Sequence, residues 1–358
     1  MKQQNYLQKY GKSLLFTLAI MALTWFSILR HNEIPSLLQA IRGFNSFYLG
    51  TAIVGMGLFF LCQSLCIKIL INSFGYDAGI GHCARYSLID FYFSSITPGC
   101  MGGQPSEIYY MKKDGIKIGS SSLAMLIFNG VYHLAVLIVA GFALLFGGVD
   151  ILSKMGAFRI LFFYGAIAQL TLTLCFCTLI FSKKIAPKII FKGIELLSRF
   201  KIIKNVEKWR ERARKNIEEY RLGAIYIKEN PLILLKLIAL GILHIVLLYS
   251  TPFWVYKGMG LSGHSYLSIL AIQASLVMSI ESLPIPGGMG IAEGGFISLY
   301  AMVFGQGNVV VAMLLTRGIS YYFSLAFSGI VTAFSRGSRV RRLKGFHKKR
   351  LKKLNLEM

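Results

Sequence analysis

Acidic side chains are scarce: 15 Asp and Glu stand against 39 Lys and Arg in 358 residues. Charged residues of both signs make up only 15% of the chain, and 55% is hydrophobic. So little charge in so long a chain excludes a soluble globular protein and indicates an integral membrane protein. The six cysteines, Cys62, Cys66, Cys83, Cys100, Cys175 and Cys177, lie in or beside apolar runs without metal-ligand spacing or paired histidines. They read as small core residues. Nucleotide hydrolysis lacks its motif, since the one Gly-Lys-Ser, Gly11 to Ser13, has no upstream glycine of a phosphate loop. A G-x-S-x-G nucleophile, a zinc signature and a soluble stretch able to hold a separate active site are also missing. No cofactor, metal or catalytic residue is therefore expected.

The positive charge is concentrated. Residues 183–229 carry fourteen Lys or Arg against six acids, and residues 335–358 carry ten against one. Such segments belong at the cytoplasmic face, near anionic lipid. Within the first, Ile189, Ile190, Ile194 and Leu197 recur at helical spacing between basic residues, which predicts amphipathic helices on the inner leaflet. Its place between membrane spans argues against a nucleic-acid partner.

The fold class expected is all-α: a polytopic membrane protein of six full spans and two re-entrant helix pairs. The spans are 13–29, 44–71, 120–146, 158–181, 232–256 and 309–334. The first is taken as uncleaved because Trp25 and Phe26 stand where small cleavage-site residues would be. Gly50, Gly55 and Gly57 in the second suggest close helix packing. Asn230-Pro231 restarts the membrane region, with proline at a first helical position. The pieces 85–96 and 105–111 are each too short to cross a core of about 30 Å at about 1.5 Å per residue. A second interrupted pair covers 265–283 and 291–304. Domain bounds follow as 1–182 for a first membrane repeat, 183–229 for the basic segment, 230–334 for a second repeat and 335–358 for a cytoplasmic tail. Both termini are expected in the cytoplasm.

The interruptions are related. Pro98-Gly99-Cys100-Met101-Gly102 and Pro286-Gly287-Gly288-Met289-Gly290 match at four of five positions, and the same offset pairs Asn129-Gly130 with Arg317-Gly318. Counting crossings, the two units enter from opposite sides, which is an inverted repeat, and breaks of this kind mark a buried site between repeats. A half-helix starting at membrane depth turns its free N–H groups towards the cavity and suits a phosphate; Gln104-Pro105 and Gly290-Ile291 are the expected starts. The bland alternative is that Pro and Gly only kink packed helices. Glu107 and Glu293, placed in the first turns of the second halves, either stabilise helix N-termini or carry a proton or meet a cationic headgroup. Arg317 either neutralises Glu293 or Glu281 or clamps a phosphate, while Asn129 offers neutral hydrogen bonds. Asp90 has both a cavity-lining and a solvated reading. His133 and His244 read as hydrogen-bonded core residues.

SSITPGCMGGQPSEIYYMKKDGI followed by SLPIPGGMGIAEGG, with an Arg in the final span, resembles the lysylphosphatidylglycerol synthase transmembrane, or flippase-like, family over nearly the whole chain. The resemblance implies a multi-pass protein of a bacterial cell membrane that moves aminoacylated phosphatidylglycerol between leaflets. Bifunctional relatives add a cytoplasmic aminoacyltransferase domain, which is expected to be absent here, so a transporter is expected ahead of an enzyme. Carried over by position, the family's motifs fall on Thr97, Pro98, Gly102, Gly103, Gln104, Pro105 and Glu107. In the second copy they fall on Pro286, Gly287, Gly288, Gly290, Glu293 and Arg317. The expected partners are membrane lipids, above all anionic phospholipid, with room for a separate lipid-modifying enzyme and a homo-oligomer. Three function classes follow. The first is a flippase for a phosphate-bearing lipid, phospholipid or polyprenyl-phosphate, the latter working with a glycosyltransferase. The others are a lipid aminoacyltransferase component and a scaffold that binds anionic lipid.

Overall fold

A bilayer core offers no hydrogen bonds, so apolar runs without interior proline satisfy their backbone as helices. The structure, a computed structural model, is described over residues 43–147, 153, 155–156, 158–182, 185–199, 206–281, 283–335, 337 and 339–343. The expected span 13–29 lies outside these residues. The first described helix, α1 (Ser46–Ser73), begins where the Asn45 side chain accepts a hydrogen bond from the Phe47 amide at 2.9 Å. Then come the short strand β1 (Tyr76–Asp77), α2 (Ile80–Ile96), a turn at Pro98–Cys100, α3 (Gly103–Lys113) and α4 (Ile118–Phe146). Next are α5 (Phe158–Phe181), α6 (Ile185–Arg199), α7 (Val206–Glu229), α8 (Pro231–Tyr249), α9 (Thr251–Gly258) and α10 (Tyr266–Ile280). A second turn at Pro286–Gly288 leads to α11 (Ile291–Phe304) and α12 (Val309–Arg317). A wide π segment (Gly318–Phe323), α13 (Ser324–Ala333) and β2 (Arg341–Arg342) close the described chain.

Six stretches among the described residues are long and apolar enough to cross a membrane: Ser46–Ser73, Ile118–Phe146, Phe158–Ile180, Pro231–Gly258, Pro286–Phe304 and Val309–Ala333. The protein is thus an all-α polytopic membrane protein. Five of the six match expected spans. The sixth, Pro286–Phe304, was expected as half of an interrupted pair; its 19 residues reach span length only when the turn at Pro286 is counted with α11. α8 begins at Pro231, as the sequence predicts, because the first helical position needs no amide hydrogen.

The outer faces remain apolar. On α5 the exposed residues Ile160, Phe163, Ile167, Leu170 and Leu174 recur every three or four positions, the spacing of a stripe facing lipid. Inside, α1 runs through two cores. Ala52, Met56 and Phe59 pack with Val136, Tyr249, Phe296 and Tyr300; Cys66, Ile67, Leu70 and Ile71 pack with Tyr86, Met111 and Leu123. α1 also packs along α8. His244 of α8 donates from Nδ1 to the Phe59 carbonyl at 2.9 Å and stacks on the Phe59 ring at 3.9 Å, the core role expected of it.

Close helix approach falls elsewhere than predicted. A methyl group at Gly50, Gly55 or Gly57 would meet nothing within 4 Å, so these glycines do not mark a tight contact. At Gly165 of α5 it would collide with the carbonyl oxygen of Met278 in α10, and at Gly241 of α8 it would come within 2.7 Å of Val131 in α4. The small residues that let helices approach are therefore Gly165, against α10, and Gly241, against α4.

The basic segment forms two helices, α6 and α7. α7 is not only a surface helix, because it packs on α4 and Tyr220 donates to the Leu179 carbonyl at 2.8 Å. At the same end of the molecule β2 pairs antiparallel with β1, and Leu343 donates its amide to the Gly75 carbonyl at 3.0 Å. Val340 likewise donates to the Asp114 carbonyl at 2.9 Å, while the buried Asp114 side chain accepts from Arg85 and, at 2.5 Å, from the Tyr86 hydroxyl.

Candidate functional site

The two turns follow the same path. Thr97 (φ −115°, ψ 143°) corresponds to Ile285 (φ −113°, ψ 129°), Gly99 (φ 62°, ψ 21°) to Gly287 (φ 57°, ψ 13°), and Cys100 (φ 55°) to Gly288 (φ 63°). Two consecutive residues in the left-handed region turn an ending helix sharply aside. The paths diverge at the methionines, with Met101 helical and Met289 extended. Cys100 holds a conformation that its counterpart meets with glycine, at a cost of about 1–2 kcal/mol. Cys100→Gly should therefore raise the thermal unfolding temperature in detergent, with a gain of about 0.5–1 kcal/mol once the looser unfolded chain is allowed for. Unchanged or lower stability would count against strain at this position.

The neighbours of the turns correspond as well. α2 packs on α3 and α13; α10 packs on α11 and on α4. Shifted by the offset between the motifs, α13 falls on the C-terminal part of α4. The turns themselves touch. Tyr321 of the π segment ties them, donating its hydroxyl to the carbonyl of Ser95 at 3.1 Å while its ring lies against Gly287, where a methyl group would collide with it.

At the first turn Thr97 donates to the Phe93 carbonyl at 2.6 Å and accepts the Gly102 amide at 2.9 Å. A methyl group at Gly102 would lie 2.9 Å from the Phe93 carbonyl, and at Gly103 2.8 Å from that of Asp90, so both positions need glycine for close approach. α3 starts at Gly103, earlier than the predicted Gln104-Pro105, and Pro105 and half-buried Gln104 fall inside its first turn. Glu107 is consequently in the second turn. Pro98 is exposed and Pro286 buried. Glu107 is 1% exposed, and its Oε1 makes no hydrogen bond. Asp90, whose charge acts on Glu107, accepts from Gln63 of α1 at 3.0 Å, and Gln63 in turn accepts from Ser87 at 2.7 Å.

At the second turn Arg317 ends α12, just before the π segment, a wide turn that frees backbone and is frequent at functional sites. Its Nε donates to Glu293 Oε1 at 2.9 Å, its Nη2 donates to the Gly287 carbonyl at 3.0 Å, and its guanidinium lies 4.3 Å from the Tyr321 ring centre. Tyr322 donates to the same Glu293 oxygen at 3.2 Å, and Glu293 Oε2 accepts the Gly290 amide at 2.6 Å, capping α11. Gly290 holds φ 84°, which only glycine adopts without strain. Thus Arg317, Glu293, Gly287 and Gly290 form one cluster. Asn129 does not join it. Its amide donates to the Met125 carbonyl of its own helix at 2.7 Å.

A third polar group joins α4 and α5 to the end of α10. Glu281, just past the end of α10, accepts from Tyr132 at 2.6 Å and from Gln169 at 2.5 Å, and His133 Nδ1 lies 2.5 Å from Gln169 Oε1. The sequence assigned Glu281 only as counter-charge to Arg317, and Tyr132 and Gln169 no role. Gln169 was the available signal: a polar amide in the middle of the otherwise apolar α5. A cleft of about 640 Å³ lined by Lys188, Phe191, Lys192, Glu195, Arg210 and Arg214 lies between α6 and α7, away from both turns.

Six stretches of membrane-crossing length among the described residues, with two Pro-Gly turns in contact, define a polytopic membrane protein. Residues 13–328 match the family described as the lysylphosphatidylglycerol synthase TM region, and the chain belongs to that family. It is also similar to a UPF0104 membrane protein of Archaeoglobus fulgidus, 24% identical over 321 residues, which are 86% of this chain and 92% of the relative.

Proposed function

We propose that the protein is a flippase for a phosphate-bearing lipid, working by alternating access between two inverted repeats whose broken arms are α2–α3 and α10–α11. The observation that carries the reading is the meeting of two turns with the same left-handed backbone path, tied by Tyr321 and Ser95. Paired discontinuous helices meeting in the interior suit a site reached alternately from the two leaflets. The family name points to aminoacylated phosphatidylglycerol as cargo. Such a headgroup carries a phosphate and an ammonium. Arg317 suits the first, exchanging Glu293 for phosphate as the arms move, and the unpartnered Glu107 oxygen suits the second. In this arrangement both termini and the basic helices α6 and α7 face the cytoplasm of the cell that bears the protein.

The test is reconstitution into liposomes with fluorescent phosphatidylglycerol, lysylphosphatidylglycerol or polyprenyl phosphate, followed by quenching of the outer leaflet. Protein-dependent movement of at least one lipid is expected, fastest for the lysylated one. Glu107→Gln should erase the advantage of the lysylated lipid, roughly a tenfold loss for a charge-assisted contact of about 1.5 kcal/mol. No movement of any of the three would remove the flippase reading. An undiminished preference in Glu107→Gln would remove the ammonium site. Labelling of Lys215→Cys from the outside of intact cells would overturn the orientation.

A further inference from the structure

Four acids lie near the turns, and each is treated differently; Asp90 accepts from Gln63. Glu293 has Arg317; Glu107 has an oxygen without a partner; Glu281 has neutral donors on both oxygens. Among the described residues no Lys or Arg lies within ion-pair distance of Glu281. A carboxylate at membrane depth without a cation is disfavoured, and is relieved by taking up a proton or another cation.

Its surroundings choose between these. Gln169 gives its NH2 to Glu281, which leaves its oxygen for His133, so His133 Nδ1 carries the hydrogen of that contact. Tyr132, Gln169 and His133 therefore fix the carboxylate from α4 and α5. From α8 Tyr249 faces it, fully buried, with a hydroxyl that makes no hydrogen bond. From the first turn Cys100 faces it too, so the titratable groups around Glu281 are Tyr132, His133, Tyr249 and Cys100. A sodium ion needs several oxygens free to coordinate, yet both carboxylate oxygens already receive hydrogens aimed at them. A proton needs only one lone pair, and each Glu281 oxygen keeps one beside the hydrogen bond it accepts.

We propose that Glu281 carries the proton that drives transport, one per lipid. The inference rests on the flippase reading and names its coupling ion. The proton passes from water on one side to a lone pair of a Glu281 oxygen, crosses as neutral carboxylic acid, and returns to water on the other side. With phosphatidylglycerol, whose phosphodiester carries one negative charge, the cycle moves no net charge; with a lysylated headgroup the ammonium charge crosses in addition. Tyr132, Gln169 and His133 are positioning residues.

The experiment has two arms on the full chain. In the first, infrared difference spectra across a pH titration in lipid nanodiscs should show a carboxylic-acid band that Glu281→Gln removes and Tyr132→Phe, which takes away one hydrogen bond to the carboxylate, keeps but shifts in midpoint. Spectra unchanged by Glu281→Gln would overturn the proposal whether or not any lipid is moved. In the second, liposomes containing fluorescent phosphatidylglycerol receive a gradient of one pH unit, which for one proton per lipid should enrich the probe about tenfold in one leaflet. Glu281→Gln should abolish the enrichment. Probe movement that ignores the pH gradient, or follows a sodium gradient instead, would overturn proton coupling and leave the flippase reading standing. Absence of movement with an intact Glu281 band would sink the flippase reading instead.

Discussion

Arg317→Gln should be among the most damaging single changes in the molecule. The substitution leaves Glu293, 2% exposed, as a buried carboxylate without its cation, and removes the donor that holds the Gly287 carbonyl. Stranding one member of a buried ion pair costs about 3–5 kcal/mol. Thermal unfolding in nanodiscs should show a loss of that order, and Arg317→Lys should be impaired as well, since a single ammonium cannot meet Glu293 and Gly287 in the planar arrangement of Nε and Nη2. Adding Glu293→Gln to Arg317→Gln removes the stranded charge, and most of the stability should return as a coupling term in the double-mutant cycle. The refolded double variant then tests phosphate binding apart from folding. If Arg317 holds the lipid phosphate, that variant is stable and still binds anionic lipid poorly. Lipid affinity equal to the unmodified protein would restrict Arg317 to charge balance.

Gly287→Ala should be the second large effect, and here the loss lies in coupling as much as in stability. Gly287 sits at φ 57°, which costs an L side chain about 1–2 kcal/mol, and the new methyl group collides with the Tyr321 ring and hydroxyl. Moving Tyr321 aside breaks its bond to Ser95, worth about 0.5–1.5 kcal/mol more. The sum is about 1.5–3.5 kcal/mol. Tyr321→Phe separates the parts, because it keeps the ring and removes only the tie between turns. Transport lost in Tyr321→Phe, with unfolding little changed, would assign the tie to function; full transport in Gly287→Ala would show that the turns move independently of it.

The sequence disclosed the spans and turns because each follows from local chemistry. Long apolar runs are helical wherever water is excluded, and Pro-Gly pairs interrupt them wherever they occur. The likeness of the two turns was legible for the same reason, since matching residues at Pro98 and Pro286 reproduce matching dihedral angles. What could not be read is side-chain pairing across helices. Arg317 had Glu281 and Glu293 as candidate partners, and only the packing of α11 on α12 selects Glu293. Asn129, paired with Arg317 by sequence offset, turns back to its own helix because its short amide reaches the Met125 carbonyl. The Glu281 group escaped notice because Tyr132, Gln169 and Glu281 are far apart in the chain and no local pattern joins them. The glycines of α1 misled, since spacing shows where a helix is small and not whether a neighbour uses the room.

The pairing of Tyr76–Asp77 with Arg341–Arg342 bears on how the molecule is made. The first strand is synthesised early, and at about 5–20 residues per second its partner follows it only after roughly 13–53 s. Throughout that interval β1 has no strand beside it, while every intervening helix is inserted. The pairing therefore closes only after all the described helices between its two strands have been made.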